Sequence, residues 1–483
     1  MYEVDVRVWL TELSQQLRRA ACLGDIPSVE LDRLAELGFG WIWLMGIWQT
    51  GEAGRQVSRA AVFERENRDA FAPVESDICG SPFAVTAYKV HSDFGNESDL
   101  LSLRKRLHER GMRLVLDFVP NHTALDHPWV RQHPDYYVPG STADLQRDPL
   151  NYVSVPTGEG VVVLAHGRDP NFPGWPDTLQ LNYGNPEVHQ ALREELSKVS
   201  AWCDGLRCDM AMLITPDVFR RTWRRDTLPF WPGAIEEIRR RFPEFVFIAE
   251  VYWGLEWELQ QQGFDFTYDK TLYDRLRKRD AGSVLDHLKA QESFQKKLLR
   301  FLENHDEERA AAAFPVEAHQ AAAVIAYLAP GMRLFHDGQL EGRRKRASIY
   351  LRRRAEEPTE PAIRKFYRTL LDCLRSSAIR EEGKWELLQP RSAWEGNDSW
   401  AGFVSFGWLG SEGSRLLVVV NFSPNRGQCT VRLSSARSSE TLVLKDRFSP
   451  AVYEQEGRQA ASQGVFFDMP RWGYHVFEVM EAR

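Results

Sequence analysis

From residue 1 to about 380, short apolar runs alternate with longer stretches whose apolar positions recur every three or four residues. The apolar runs predict strands over Val4–Trp9, Trp41–Met45, Arg113–Phe118, Gly205–Asp209, Phe245–Glu250, Phe264–Tyr268, Leu298–Glu303 and Met332–Phe335. The longer stretches predict helices, among them Val29–Leu37, Ser98–Arg110, Glu187–Trp202, Gly233–Arg241, Ala318–Tyr327 and Ala362–Arg375. Apolar strands alternating with crossover helices belong to a parallel sheet buried on both faces. Eight such repeats predict an α/β fold, a (β/α)8 barrel; a doubly wound open sheet fits the alternation nearly as well.

The third strand is followed by an irregular stretch, His122 to Asn182, rich in Pro, Asp, Tyr and Gly. Long excursions of this kind are usually functional, and a small subdomain over the active-site face is expected. After about residue 385 the rhythm becomes short strands and turns: Gly402–Phe406, Leu416–Asn421, Gln428–Leu433, Thr441–Leu444, Val465–Asp468 and Gly473–Val479. That rhythm predicts an antiparallel β-sandwich. The expected organisation is a barrel from 1–121 and 183–384, an inserted subdomain over 122–182, and a sandwich over 385–483.

Composition narrows the function. The 483 residues carry 61 Lys+Arg against 68 Asp+Glu, a net charge of -7, which lacks the field of a dedicated nucleic-acid binder. The 16 Trp offer flat faces suited to sugar rings, although cores use the same residues. Cys22, Cys79, Cys203, Cys208, Cys373 and Cys429 are scattered without a C-x-x-C pair, and reduced thiols are expected. The opening MYEVDVRVWL has no basic start before a long apolar stretch, and no run approaches ~18 apolar residues. A cytoplasmic protein with no membrane or nucleic-acid partner is expected. The basic run Arg343, Arg344, Lys345, Arg346, Arg352, Arg353 and Arg354 reads as a solvated surface paired with Glu356 and Glu357, or as an anion site.

Four segments place polar residues at the ends of otherwise apolar strands: LVLDFVPNH (Leu114–His122), DGLRCDMA (Asp204–Ala211), FVFIAEVYW (Phe245–Trp253) and RFLENHDE (Arg300–Glu307). An acid ending a buried strand is costly unless paired or functional. In a barrel these ends converge on the C-terminal face, where barrel enzymes keep their catalytic groups. Asp209, Glu250 and Asp306 are therefore expected to face one another with Arg207, His122 and His305.

These segments resemble the signatures of the α-amylase family of retaining glycoside hydrolases. Asp117, Asn121 and His122 are similar to the first, Gly205, Arg207 and Asp209 to the second, Glu250 to the third, and Asn304, His305 and Asp306 to the fourth. The stretch SPFAVTAYKVHSDFG (Ser81–Gly95) resembles the family's segment between strand two and helix two. The resemblance implies Asp209 as nucleophile and Glu250 as acid/base, a pair about 5 Å apart in a retaining enzyme. Arg207 would keep Asp209 ionised, and Asp306 would hold the sugar's 2- and 3-hydroxyls while raising the pKa of Glu250. His122 and His305 would donate to hydroxyls, Phe83 would stack under the sugar where the family usually has Tyr, and Asp117 would orient its loop.

Three departures from the family stand out. Met212 and Leu213 occupy the positions of a Lys-His pair on the leaving-group side. Gln180 replaces an acidic residue that, with Asn121, often binds calcium, so no cofactor is required and calcium binding is expected to be weak or absent. Gln339 stands where the family frequently has Glu. The expected activity is retaining cleavage of short α-glucosides or maltooligosaccharides. Transglycosylation on the same scaffold is the alternative, and a non-catalytic amylase-like subunit the remote one.

Overall fold

The computed structural model describes residues 1–59, 74–158, 160–380, 383–410, 413–433 and 441–481. It comprises two compact units, Met1–Tyr268 with Lys345–Glu356, and Asp269–Arg344 with Glu357–Arg483.

In the first unit six parallel strands lie side by side in chain order: β1 (Tyr2–Asp5), β2 (Trp41–Met45), β3 (Arg113–Phe118), β4 (Gly205–Cys208), β5 (Val246–Ala249) and β6 (Phe266–Tyr268). Every residue of β4, and all but the first of β3, is buried, as helix cover on both faces requires. Helices Ser28–Glu36, Glu97–His108, Pro186–Ser200 and Trp231–Arg241 follow strands as expected. The first predicted strand needs correction. Only Tyr2–Asp5 is extended, and Val6–Leu17 is a helix whose N-terminus is capped by the Asp5 side chain accepting from the Val8 amide at 3.2 Å.

The stretch after β3 contains two antiparallel pairs, His122–Ala124 with Thr178–Gln180 and Tyr152–Thr157 with Gly160–Ala165. Tyr137 and Tyr183 are buried in it, their hydroxyls bonded to Thr123 Oγ1 at 2.9 Å and Pro120 O at 2.8 Å, so these two rings are packing residues. In the basic run the Arg344 amide donates to Glu357 Oε2 at 2.8 Å, while three guanidiniums pair with acids distant in sequence. Arg353 forks onto Asp77, Arg354 onto Glu12, and Arg352 reaches Asp93 at 3.2 Å.

In the second unit β7 (Leu298–Arg300) and β8 (Met332–Arg333) are parallel neighbours, and β9 (Phe335–His336) follows after the single residue Leu334. The eighth predicted strand is therefore broken in two. Beyond helix Pro361–Leu374, a six-stranded antiparallel sheet runs in the order Lys384–Leu388, Phe403–Leu409, Arg415–Asn421, Tyr474–Glu481, Thr441–Asp446, Val452–Glu456. A three-stranded sheet holds Pro390–Arg391, Gly427–Val431 and Val465–Met469. Phe403, Leu417, Val419 and Phe477 of the first pack with Cys429, Val431 and Phe467 of the second, the interleaved core of a β-sandwich. No helix among the described residues is long and apolar enough to cross a membrane.

Candidate active site

Strand register assembles the first group of polar residues. Arg207 stands opposite Asp117 of β3 on one side and Ile248 of β5 on the other. Pairing continues one residue past the strands, with the Asp209 amide donating to Phe118 O at 2.8 Å and the Glu250 amide to Cys208 O at 3.1 Å. Side chains repeat every second residue, so Arg207 and Asp209 share a face, and Glu250, two beyond Ile248, comes beside them.

One guanidinium joins the acids. Arg207 Nη1 donates to Asp209 Oδ1 at 2.6 Å, and Nη2 lies 2.7 Å from Glu250 Oε2, while Asp117 Oδ1 stands 3.8 Å from Nη1. All four side chains are almost wholly buried. Burial alone would lower the Arg207 pKa. The charges of Glu250, Asp209 and Asp117 and the Tyr268 hydroxyl outweigh it and hold the group well above its ordinary value. The rings of Trp43, Phe83 and Tyr268 surround the guanidinium, with centroids at 5.2, 5.2 and 5.8 Å. Asp117 accepts from Trp43 Nε1 at 3.1 Å and from the Gly46 amide at 2.8 Å, so it braces β2 against β3 beneath Arg207.

Two contributors to the site carry no signal in the sequence. Met210 adopts a left-handed backbone, φ 43°, and its amide donates to Glu250 Oε2 at 2.7 Å. Such a conformation in a non-glycine residue costs of order 1 kcal/mol or more and is typical of functional sites. Tyr252 donates its hydroxyl to the other carboxylate oxygen, Glu250 Oε1, at 2.8 Å.

His122 is buried beside these groups, bonded to the Phe83 backbone and lying 3.3 Å from the Asn121 amide through Nδ1. Burial lowers its pKa against the pull of Asp209, which keeps the ring neutral at neutral pH. Trp175, from the stretch after β3, lies with its ring 5.1 Å from that of His122.

The fourth signature belongs to the second unit. Asn304 Oδ1 accepts from the Asp306 and Glu307 amides at 3.0 and 2.9 Å, a tight turn that leaves the Asp306 side chain 43% exposed. His305 is buried, its Nε2 3.1 Å from Asp306 Oδ2. Gln339 is structural here: its amide donates to the hydroxyls of Tyr327 and Tyr367 at 2.7 and 2.9 Å.

Gln180 and Asn121 do meet, through direct hydrogen bonds. Gln180 Nε2 donates to Asn121 O at 2.9 Å, Asn121 Oδ1 at 3.0 Å and Leu181 O at 3.2 Å, turning toward an amide the oxygens a hard ion would take. These residues do not fit calcium, and no group of three or more His, Cys, Asp or Glu among the described residues is arranged to hold a metal. Met212 and Leu213 are buried in the short 3-10 turn Ala211–Ile214, so they present no hydrogen-bonding group to a ligand.

A family model for the alpha amylase catalytic domain matches residues 22–385. The chain belongs to the α-amylase family. Among curated proteins, Alpha-amylase MalA of Haloarcula japonica is 25% identical over 354 residues, 72% of this chain and 44% of its own length. An oligo-1,6-glucosidase of Parageobacillus thermoglucosidasius is 27% identical over 220 residues, 40% of this chain and 32% of its own. The chain thus spans less than half the length of these two relatives. The crystal structure of a maltogenic alpha-amylase, AmyB of Thermotoga neapolitana, aligns over 100% of this chain and 98% of its own with a TM-score of 0.70 at 20% identity, a likeness of fold. The (β/α)8 barrel with a C-terminal antiparallel sandwich read from the α-amylase-like sequence is the fold of this chain.

Proposed function

We propose that this α-amylase family chain cleaves α-glucosidic bonds of short α-glucosides or maltooligosaccharides with retention, through a covalent glycosyl-enzyme intermediate. The observation that carries this reading is the Arg207 guanidinium joined to Asp209 and Glu250 by neighbouring nitrogens. That bridge supports the short separation of a retaining pair, about 5 Å, over the ~6.5–9.5 Å of an inverting one. Asp209 Oδ1 is oriented by Arg207, and its second oxygen has no hydrogen-bond partner among the described residues, which suits a nucleophile. Glu250 Oε2 is held by Arg207 and the Met210 amide, so the proton delivered to the leaving oxygen sits on Oε1. There the Tyr252 hydroxyl turns from donor to acceptor. Asp306 holds the 2- and 3-hydroxyls, His305 donates beside it, His122 exchanges its bond to Phe83 for one to a sugar hydroxyl, and the Phe83 ring supports the sugar.

The domain division follows the same proposal: barrel 1–121 and 183–384, inserted subdomain 122–182, sandwich 385–483. The six free cysteines support a cytoplasmic setting.

The test is a panel of maltose, maltotriose, maltopentaose, isomaltose, trehalose, sucrose and starch, with products resolved over time and the first-formed anomer read by proton NMR. An α-anomer is expected; a β-anomer defeats the mechanism, and longer products from concentrated donor identify transfer in place of hydrolysis. Maltotriose is expected to exceed starch in kcat/KM per chain end. Met212 and Leu213 offer no bonds beyond the cleavage point, each such bond being worth ~1 kcal/mol. A clear preference for the polymer refutes this. Activity and melting temperature are expected to be unchanged by EDTA, because the Gln180 amide takes the place of a cation. A fall of several degrees on chelation would show that a metal is bound after all.

A further inference from the structure

A cavity of about 450 Å³ lies in the first unit, and none of Phe83, His122, Arg207, Asp209 or Glu250 lines it. Its wall carries Arg7, Arg55, Arg352, His91, Thr11 and Thr50. Two carboxylates also reach the wall, and both are engaged: Asp93 with Arg352 at 3.2 Å, Glu52 with Arg59 at 3.0 Å.

Among the described residues the two remaining guanidiniums have only neutral partners. Arg7 is 4% exposed and donates to Gly80 O, to Ile349 O at 3.4 Å and to Thr50 Oγ1 at 3.2 Å. Arg55 donates to Ile78 O at 2.9 Å. Neither has a carboxylate partner among the described residues, in a chain where acids outnumber bases. A buried cation without a counter-charge is costly, and a bound anion removes that cost.

The neutral groups add donors. Thr50 Oγ1 accepts from Arg7, which leaves its hydrogen for a ligand. His91 Nδ1 accepts from the Asp93 amide at 3.1 Å, which puts the ring hydrogen on Nε2. Burial, reinforced by the charge of Arg7, pushes the His91 pKa down to about 4, so the ring is a neutral donor at neutral pH. Gly80 makes the wall possible. Its φ is +84°, and a Cβ there would stand 2.9 Å from Arg55 N and Gly54 C, so glycine alone lets this segment seat the helix that carries Arg55.

We propose that this cavity binds a phosphate monoester of about sugar size, its phosphoryl group held by Arg7, Arg55, Thr50 and His91 with Arg352 at the rim. One guanidinium fork satisfies a carboxylate; two forks with hydroxyl and imidazole donors match a tetrahedral dianion. The volume suits a small molecule, whose sites run from ~300 to 1,000 Å³, and exceeds what inorganic phosphate alone fills. The wall residues Ile78 and Cys79 run on within four residues to Phe83, whose ring covers Arg207. The phosphoryl group therefore belongs either to a substrate reaching both sites or to a free ligand acting on the second from the first.

Calorimetry on the purified chain tests the site independently of turnover, with inorganic phosphate and glucose 6-phosphate as probes and glucose as control. Both phosphates are expected to bind, glucose 6-phosphate more tightly, and glucose not at all. Arg55→Gln is expected to weaken binding about ten- to hundredfold, the worth of a charge-assisted hydrogen bond. Arg7→Gln should abolish it; if that variant does not fold, Arg55→Gln and Thr50→Val carry the test. The NMR titration of His91 should move to higher pH with ligand present. No binding of either phosphate at millimolar concentration, or unchanged affinity in Arg55→Gln, overturns the proposal. Faster turnover of a maltose phosphate monoester than of maltose assigns the group to the substrate. A change in maltose turnover on adding phosphate assigns it to a free ligand.

Discussion

Asp209→Asn is expected to lower kcat at least ~10⁴-fold on the best substrate of the panel, with the melting temperature little changed. The amide keeps the shape of the carboxylate and still accepts from Arg207 Nη1, now at 2.6 Å from Asp209 Oδ1, but it cannot attack an anomeric carbon. Residual activity near the native level would remove Asp209 from the mechanism and with it the retaining reading. Addition of azide sharpens the experiment: a small external nucleophile that restores turnover of an activated α-glucoside, giving the product of opposite anomeric configuration, identifies the missing group as the nucleophile.

Arg207→Met is expected to damage the fold as well as the chemistry. The native side chain is fully buried between Asp209, Glu250 and Asp117, and its removal strands carboxylates in an apolar setting. Losing one partner of a buried ionic group typically costs about 3–5 kcal/mol. In the variant, burial and mutual repulsion raise the folded-state pKa values of these acids above their unfolded values. The deficit is therefore largest at neutral and higher pH and shrinks as the pH falls and the acids protonate. Melting curves of both proteins between pH 5 and 8 check this; a deficit that grows toward acid would contradict it. Arg207→Lys should recover part of the stability, since an ammonium restores the charge but cannot serve two carboxylates from a planar fork.

The strand ends were readable because an acid after an apolar run is conspicuous, and the four motifs stand at such ends. The bridge from Arg207 to Glu250 was not readable, because it depends on the register that sets Arg207 opposite Ile248. A sequence gives the face of each strand but not the slip between neighbours. Met210 contributes through its backbone amide in a left-handed conformation, for which a methionine gives no sign. Val4, Val6 and Val8 alternate like a strand for a few residues, so the sequence reads as extended beyond Asp5 where the structure turns to helix. Asp5 followed by Val6, Leu10 and Leu13 at helical spacing was the competing signal, and the cap decided it. The burial of Met212 and Leu213 is not legible from their apolar character alone.

The single guanidinium between two acids has a consequence for how charge moves through the proposed cycle. Before the first bond breaks, Asp209 is ionised and Glu250 carries the proton. Once Asp209 is esterified by the sugar it is neutral, and Glu250, having given up its proton, is the anion. Besides Asp117, Arg207 thus faces one negative charge at each resting stage, first through Nη1 and then through Nη2. The anion shifts by one carboxylate while the guanidinium between them stays in place, so the two half-reactions share one preorganised cation.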